Sequence, residues 1–269
     1  MKSFPLQVNR DFLRQLSTLV AIFAAFGINV QSNVAPISGA SIGEISNTQF
    51  QNVLITPANY AFAIWGLIYL GLFGFGFYQM QTAQRTHPIL RRSSDGLTIA
   101  SLAQIVWVWL FQTRFFVASL GAMLVILLAL IYSWRSLKRV DSPGRALPKL
   151  WVDFPISIYL GWISVATIVN VAIALTSIGW QGWGISPSVW TVILTIVATG
   201  LGAIVCWKQQ DFAFTAVTIW ALVAIAVRQS NVPSIARTAA IGAIALLGLM
   251  AWTSYRRRAI SKHNVRRTK

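Results

Sequence analysis

The sequence predicts an all-α integral membrane protein of about eight transmembrane helices, and three observations predict it. The first is composition. Of 269 residues, 56% are hydrophobic and 10% charged, whereas a soluble domain carries about a quarter charged residues. The mean hydropathy of +0.63 agrees. The second is that apolar stretches long enough to cross roughly 30 Å of hydrocarbon recur along the whole chain, which favours helices over barrel strands. The third is the placement of lysine and arginine, which fall in short clusters between the apolar spans.

Taken in order, residues 1–15 carry Lys2, Arg10 and Arg14 and precede an apolar run over about 16–31. A positive start before a short apolar run resembles a signal peptide, but no small-x-small cleavage site follows, so a retained first helix is predicted. Residues 32–55 are polar, with Glu44 as their only charge, and read as a loop on the far side. The second helix is predicted over about 57–79, opening at Thr56-Pro57, because proline suits a first turn where its missing N–H costs nothing. A loop with Arg85, His87, Arg91 and Arg92 follows.

From 97 to 134 the chain is apolar apart from Gln104 and a break at Gln112-Thr113-Arg114. One helix of that length would run about 57 Å at 1.5 Å per residue, too long for one crossing. Two helices joined by a tight turn at Arg114 are predicted. Residues 135–149 hold five cations, with Pro143-Gly144 as punctuation. The fifth helix is predicted over about 151–175, with Asp153 at its favourable N-terminus. The sixth covers about 189–206, the seventh 212–227 and the eighth 236–254. The basic tail from Arg256 is expected to be disordered.

Eight crossings make a statement that charge checks. Counting from the N-terminus, alternate loops hold three, three, five, one and seven Lys/Arg, nineteen of the 22. The other side holds only Arg114, Arg228 and Arg237, which are expected to snorkel to headgroups or to meet a ligand carboxylate. This bias puts both termini in the cytoplasm, most simply across a bacterial inner membrane. It also accounts for the net charge of +16 without nucleic acid as a partner.

Chemistry-bearing residues are sparse. There is one cysteine, Cys206, so no internal disulfide forms, and the six acids and two histidines are scattered without metal-ligand or triad spacing. No enzyme and no metal site are predicted. Trp134, Trp151, Trp180, Trp183, Trp190, Trp207 and Trp252 lie near predicted helix ends and read as interfacial anchors, while Trp220 is mid-helix and reads as core.

The most informative stretch is 159–170, YLGWISVATIVN. On a helix, Tyr159, Trp162, Ala166 and Asn170 share one stripe, offering two rings, a small gap and an amide that must face protein or ligand rather than lipid. Taken alone, the stripe reads first as a helix–helix contact held by small residues and one interhelical hydrogen bond. Trp65 and Tyr69 form a second stripe, and Gln104, Trp107 and Phe111 a third.

Three segments together resemble the tryptophan-rich sensory protein family, the bacterial relatives of the translocator protein (TspO/MBR). They are Thr56-Pro57-Ala58-Asn59-Tyr60-Ala61-Phe62-Ala63-Ile64-Trp65 with Tyr69, then Leu102-Ala103-Gln104-Ile105-Val106-Trp107 with Phe111, then the 159–170 stretch. They occur in the family's order and on its second, third and fifth helices. Departures include Ala58 and Tyr60 for a proline and a tryptophan, Gln104 for asparagine, Val165 for phenylalanine and Ile158 for proline. The resemblance implies a TspO-like five-helix unit over 1–175, leaving three additional transmembrane helices over 176–255 and a basic cytoplasmic tail over 256–269.

Members of that family bind porphyrins, and in some cases sterols or synthetic isoquinolines and benzodiazepines, beneath the loop joining helices one and two. The resemblance therefore implies ligand contacts from Tyr60, Phe62, Trp65, Tyr69, Gln104, Trp107, Phe111, Trp162, Ala166 and Asn170. This set has no histidine, cysteine or methionine and so no axial iron ligand, which favours a metal-free tetrapyrrole held by stacking. The implied function is a receptor or carrier with a sensory role, with lipid bilayer and a hydrophobic small molecule as partners and room for a homodimer. A small-molecule transporter and a membrane-complex assembly or scaffold protein are the rival readings.

Overall fold

Every described residue lies in a helix or in a turn between helices, because the apolar runs leave the backbone no other way to satisfy its own hydrogen bonds in lipid. The computed structural model describes residues 10–138 and 147–267. The helices are α1 (Arg10–Val34), the short α2 (Ile42–Thr48), α3 (Ile64–Met80), α4 (Pro88–Gln112), α5 (Phe116–Lys138), α6 (Asp153–Ser177), α7 (Pro187–Ile204), α8 (Phe212–Arg228) and α9 (Pro233–Arg267). Among the described residues, seven helical segments are long and apolar enough to cross a membrane. The candidate for an eighth crossing, α8, has 17 residues, or about 25 Å of rise, slightly less than the hydrocarbon thickness.

The chain divides into two compact units. One takes in the described residues up to Ile45 together with Ile64–Ile156; the other takes in Ser46–Ala63 and the described residues from Ser157 onward.

In the first unit, α4 packs on α5 and on α1, and α1 packs on α3. Gly96 sets the approach of α4 to α5: a Cβ there would lie 2.2 Å from Ser133 Oγ and 2.7 Å from the Ala129 carbonyl oxygen. The α4–α5 turn falls at the predicted break, with Arg114 in the left-handed region (φ 70°). One end of the unit is polar inside. The side-chain amides of Gln15 and Gln79 each donate to the other's main-chain carbonyl, Ser94 Oγ donates to Gln79 Oε1 at 2.6 Å, and the hydroxyls of Thr18 and Thr98 meet at 2.8 Å. These pairs satisfy groups that would be costly alone in hydrocarbon.

In the second unit, α8 and α7 pack on α9. Small residues again set the distances. A Cβ on Gly161 of α6 would lie 3.0 Å from the Phe214 carbonyl oxygen of α8, and one on Gly242 of α9 would lie 2.5 Å from Thr199 Oγ1 of α7. Asp211 caps α8 by accepting from Phe214 N at 3.1 Å, and its other oxygen accepts from Ser157 Oγ at 2.6 Å.

Several sequence expectations need correction. The second crossing does not begin as an α-helix at Pro57. A 3₁₀ turn spans Asn59–Ala63 first, because Ala58 N is drawn to the Ala224 carbonyl of α8 at 3.1 Å. α7 runs on through a π-helical turn at Val205–Gln209. The tail from Arg256, expected to be disordered, continues α9 to Arg267, since nothing in it breaks a helix. Lys2, Arg139, Pro143, Gly144 and Arg145, used above, lie outside the described residues.

Candidate aromatic ligand site

The ten positions implied as ligand contacts fall into two sets, five in each unit. In the first unit, Trp65 stacks on Tyr69 with ring centroids 5.6 Å apart, one helical turn along α3. Tyr69 is buried and spends its hydroxyl on the Ala25 carbonyl of α1 at 2.9 Å, while Phe26 meets its ring edge-on at 5.2 Å. On α4, Trp107 lies 5.3 Å from Phe111, which meets Phe116 of α5 edge-on at the same separation. Gln104 is fully buried, and Trp107 and Phe111 are buried beside it in sequence. Trp65 is half-buried.

In the second unit the segment Ser46–Ala63 acts as a strap. Besides the Ala58 N bond to the Ala224 carbonyl, three side chains hold it to α8 and the residue after it with four hydrogen bonds. Arg228 Nη1 donates to Asn47 Oδ1 and, at 3.3 Å, to the Pro57 carbonyl. Gln229 Nε2 donates to the Leu54 carbonyl at 2.8 Å, and Trp220 Nε1 donates to the Ala61 carbonyl at 3.1 Å. Asn47 also donates to Asn59 Oδ1 at 2.7 Å, which ties the strap to itself.

The strap delivers two rings. Phe62 meets Trp162 of α6 edge-on at 5.8 Å, and Tyr60 meets Trp220 of α8 edge-on at 5.3 Å. Trp162 and Asn170 are buried (3% and 2% exposed), Ala166 and Phe62 are half-buried, and Tyr60 is exposed at 42%. The stripe read from 159–170 therefore faces protein, as its amide requires.

Two of the three outward-side cations make hydrogen bonds within the protein. Arg228 reaches into the strap, and Arg114 donates to Ser38 Oγ at 3.1 Å and to the Gln112 carbonyl at 2.9 Å. The residue that sequence reasoning missed is Trp220. Its position mid-helix was visible, but its partner lies 159 residues away. Of the tryptophans read as anchors, Trp180, Trp183 and Trp190 form a triad with centroids 5.3–6.2 Å apart, and Trp190 Nε1 donates to the Gly182 carbonyl at 2.9 Å.

Among the described residues no group of three or more His, Cys, Asp or Glu side chains is placed to hold a metal ion. The long apolar helices define a multi-span helical membrane protein. The family model described as TSPO-like protein matches residues 15–252, most of the chain, so this chain belongs to the TSPO-like protein family. The match extends through α7 and α8 and into α9, for which the motifs of the first 175 residues carried no family inference. No curated protein and no solved structure matches the chain.

Proposed function

We propose that this chain is a non-enzymatic membrane receptor or carrier for a flat, hydrophobic, tetrapyrrole-like ligand. The observation that carries the reading is the aromatic set of the second unit. One strap presents Phe62 against the buried Trp162 and Tyr60 against Trp220, with the small Ala166 and the amide of Asn170 following Trp162 along α6. Ligand sites in general combine apolar and aromatic walls with few polar anchors, and this set has that make-up. The rings that bases stack on in nucleic-acid binders are worth about 1–3 kcal/mol each. By that analogy, three rings would bring a macrocycle toward the roughly 8 kcal/mol of micromolar affinity.

Family membership supports a binding or sensory role. Tyr60, Phe62, Trp162, Ala166 and Asn170 include no histidine, cysteine or methionine, which favours binding by stacking and fit. The orientation that goes with this reading places both termini in the cytoplasm of a bacterial cell, on the side of the nineteen clustered cations. A reporter fused to the C-terminus that fluoresces only in the cytoplasm checks that orientation.

The test of binding is a titration of the purified protein with protoporphyrin, read as quenching of tryptophan emission. Saturable quenching, weakened by Trp162→Ala and unaffected by Trp134→Ala, is the expected result. Quenching no greater than that of a detergent blank contradicts the proposal.

A further inference from the structure

The turn from α7 to α8 and the residues after the apolar run of α9 border an open cavity that the aromatic site does not use. α7 passes into the π turn Val205–Gln209, and Gln210 closes it in the left-handed conformation (φ 50°), so the chain reverses within a few residues. The resulting cavity, about 310 Å³, is lined by Trp207, Gln210, Thr253, Arg256 and Arg257. Thr253 is buried and donates back to the Leu249 carbonyl at 2.8 Å, with Cys206 Sγ 3.8 Å from its oxygen. The guanidinium of Arg256 lies over the ring of Trp207, 5.6 Å from its centroid.

The charged side chains that line it are both cations. Lys208, on the turn itself, adds a third cation to the two arginines. Asp211 is the only acid in the chain after Asp153. It is 5% exposed, and its oxygens are taken by Ser157 Oγ and Phe214 N. Among the described residues, neither Arg256 nor Arg257 forms an ion pair. Two planar guanidinium forks without a carboxylate, beside an amide, make a donor set suited to phosphate oxygens. Depth in the membrane identifies the source of that phosphate. The apolar run of α9 gives way in sequence to Arg256 and Arg257, so both arginines stand where the helix leaves hydrocarbon, and the half-exposed indole of Trp207 is the side chain favoured at headgroup level.

We infer that this cavity binds the phosphate of an anionic phospholipid headgroup, with Arg256 and Arg257 as its charged partners, Gln210 as a further donor and Trp207 as its apolar wall. Positioning of Arg256 by the Trp207 ring distinguishes the site from the diffuse attraction of a basic tail, which any cluster of cations near an anionic leaflet provides.

The experiment uses the full chain in detergent, with bound lipid counted by native mass spectrometry after addition of dioleoyl phosphatidylglycerol, dioleoyl phosphatidylcholine or inorganic phosphate. The wild-type chain is expected to retain phosphatidylglycerol in preference to phosphatidylcholine. R256Q/R257Q should lower that retention at least about tenfold, through loss of the charge-assisted hydrogen bonds. K262Q/R266Q, which removes the same charge from the tail, should leave it within about twofold. Unchanged thermal midpoints confirm that both variants are folded. Equal losses in the two variants, or equal retention of the two lipids, would overturn the inference. Displacement of phosphatidylglycerol by inorganic phosphate alone would overturn the lipid assignment and make free phosphate the ligand.

Discussion

The indole N–H of Trp220 donates to the carbonyl oxygen of Ala61 at 3.1 Å, while its ring lies edge-on to Tyr60, the residue before Ala61, at 5.3 Å. One side chain of α8 thus grips both the backbone and the ring of the strap that carries Phe62 to Trp162. Trp220→Phe keeps most of the ring and removes the donor, leaving a partly buried carbonyl with one partner fewer. A loss of about 0.5–1.5 kcal/mol is expected, read as a lower thermal midpoint together with faster protease cleavage within 46–63. Unchanged cleavage would mean that the strap is held without Trp220.

The other end of the strap depends on Arg228. Its guanidinium donates to Asn47 Oδ1 and to the Pro57 carbonyl. Hydrogen bonds from charged groups contribute about 1.5–3 kcal/mol, so Arg228→Gln should destabilise by that order and Asn47→Ala by less. A double-mutant cycle should give a coupling energy above about 0.5 kcal/mol, as expected of residues in direct contact. Additive effects would show that the pair does not act together.

Close packing in the first unit is tested at Gly96. A methyl group there meets Ser133 Oγ at 2.2 Å and the Ala129 carbonyl at 2.7 Å. Gly96→Ala should therefore cost about 1–3 kcal/mol through forced separation of α4 and α5. Gly121→Ala on α5, where nothing lies within 4 Å, should be neutral or stabilising by up to about 1 kcal/mol. Thermal unfolding in detergent separates the two, and equal midpoints would contradict the close approach.

The pH dependence of the loop before the strap follows from Ser41 and Glu44. Ser41 N donates to Glu44 Oε2 at 2.6 Å and Glu44 N donates to Ser41 Oγ at 3.2 Å, a reciprocal cap at the start of α2. The Ser41 backbone N–H, and then its hydroxyl, hold the Glu44 carboxyl below its ordinary value. A lowered folded pKa means that the cap is fully present above the ordinary glutamate range and is lost as pH falls through the lowered value. Amide hydrogen exchange over 41–48 should accelerate on acidification across that window, and Glu44→Gln should remove the dependence.

Much of this was legible before any coordinates. The helix break at Arg114 could be read because three polar residues interrupt a span too long for one crossing, and α4 and α5 part there. The burial of Trp162 and Asn170 followed from an amide's cost in lipid. What could not be read depends on partners distant in sequence. Nothing local marks Ala58 N as destined for the Ala224 carbonyl, so the 3₁₀ entry to α3 was hidden. Trp220 and Arg228 showed only as a core ring and an outward cation until the strap lay against them. The π turn at Val205–Gln209 leaves the apolar pattern unbroken and changes only the hydrogen-bond spacing.

The central claim is that the protein holds a flat pigment-like ligand, and the most direct measurement is the absorbance of the protein purified from its own host. The account predicts a co-purified Soret-type band, or a shift of that band when protoporphyrin is added, reduced in Trp162→Ala. A colourless preparation that leaves the added porphyrin's spectrum unchanged would contradict it.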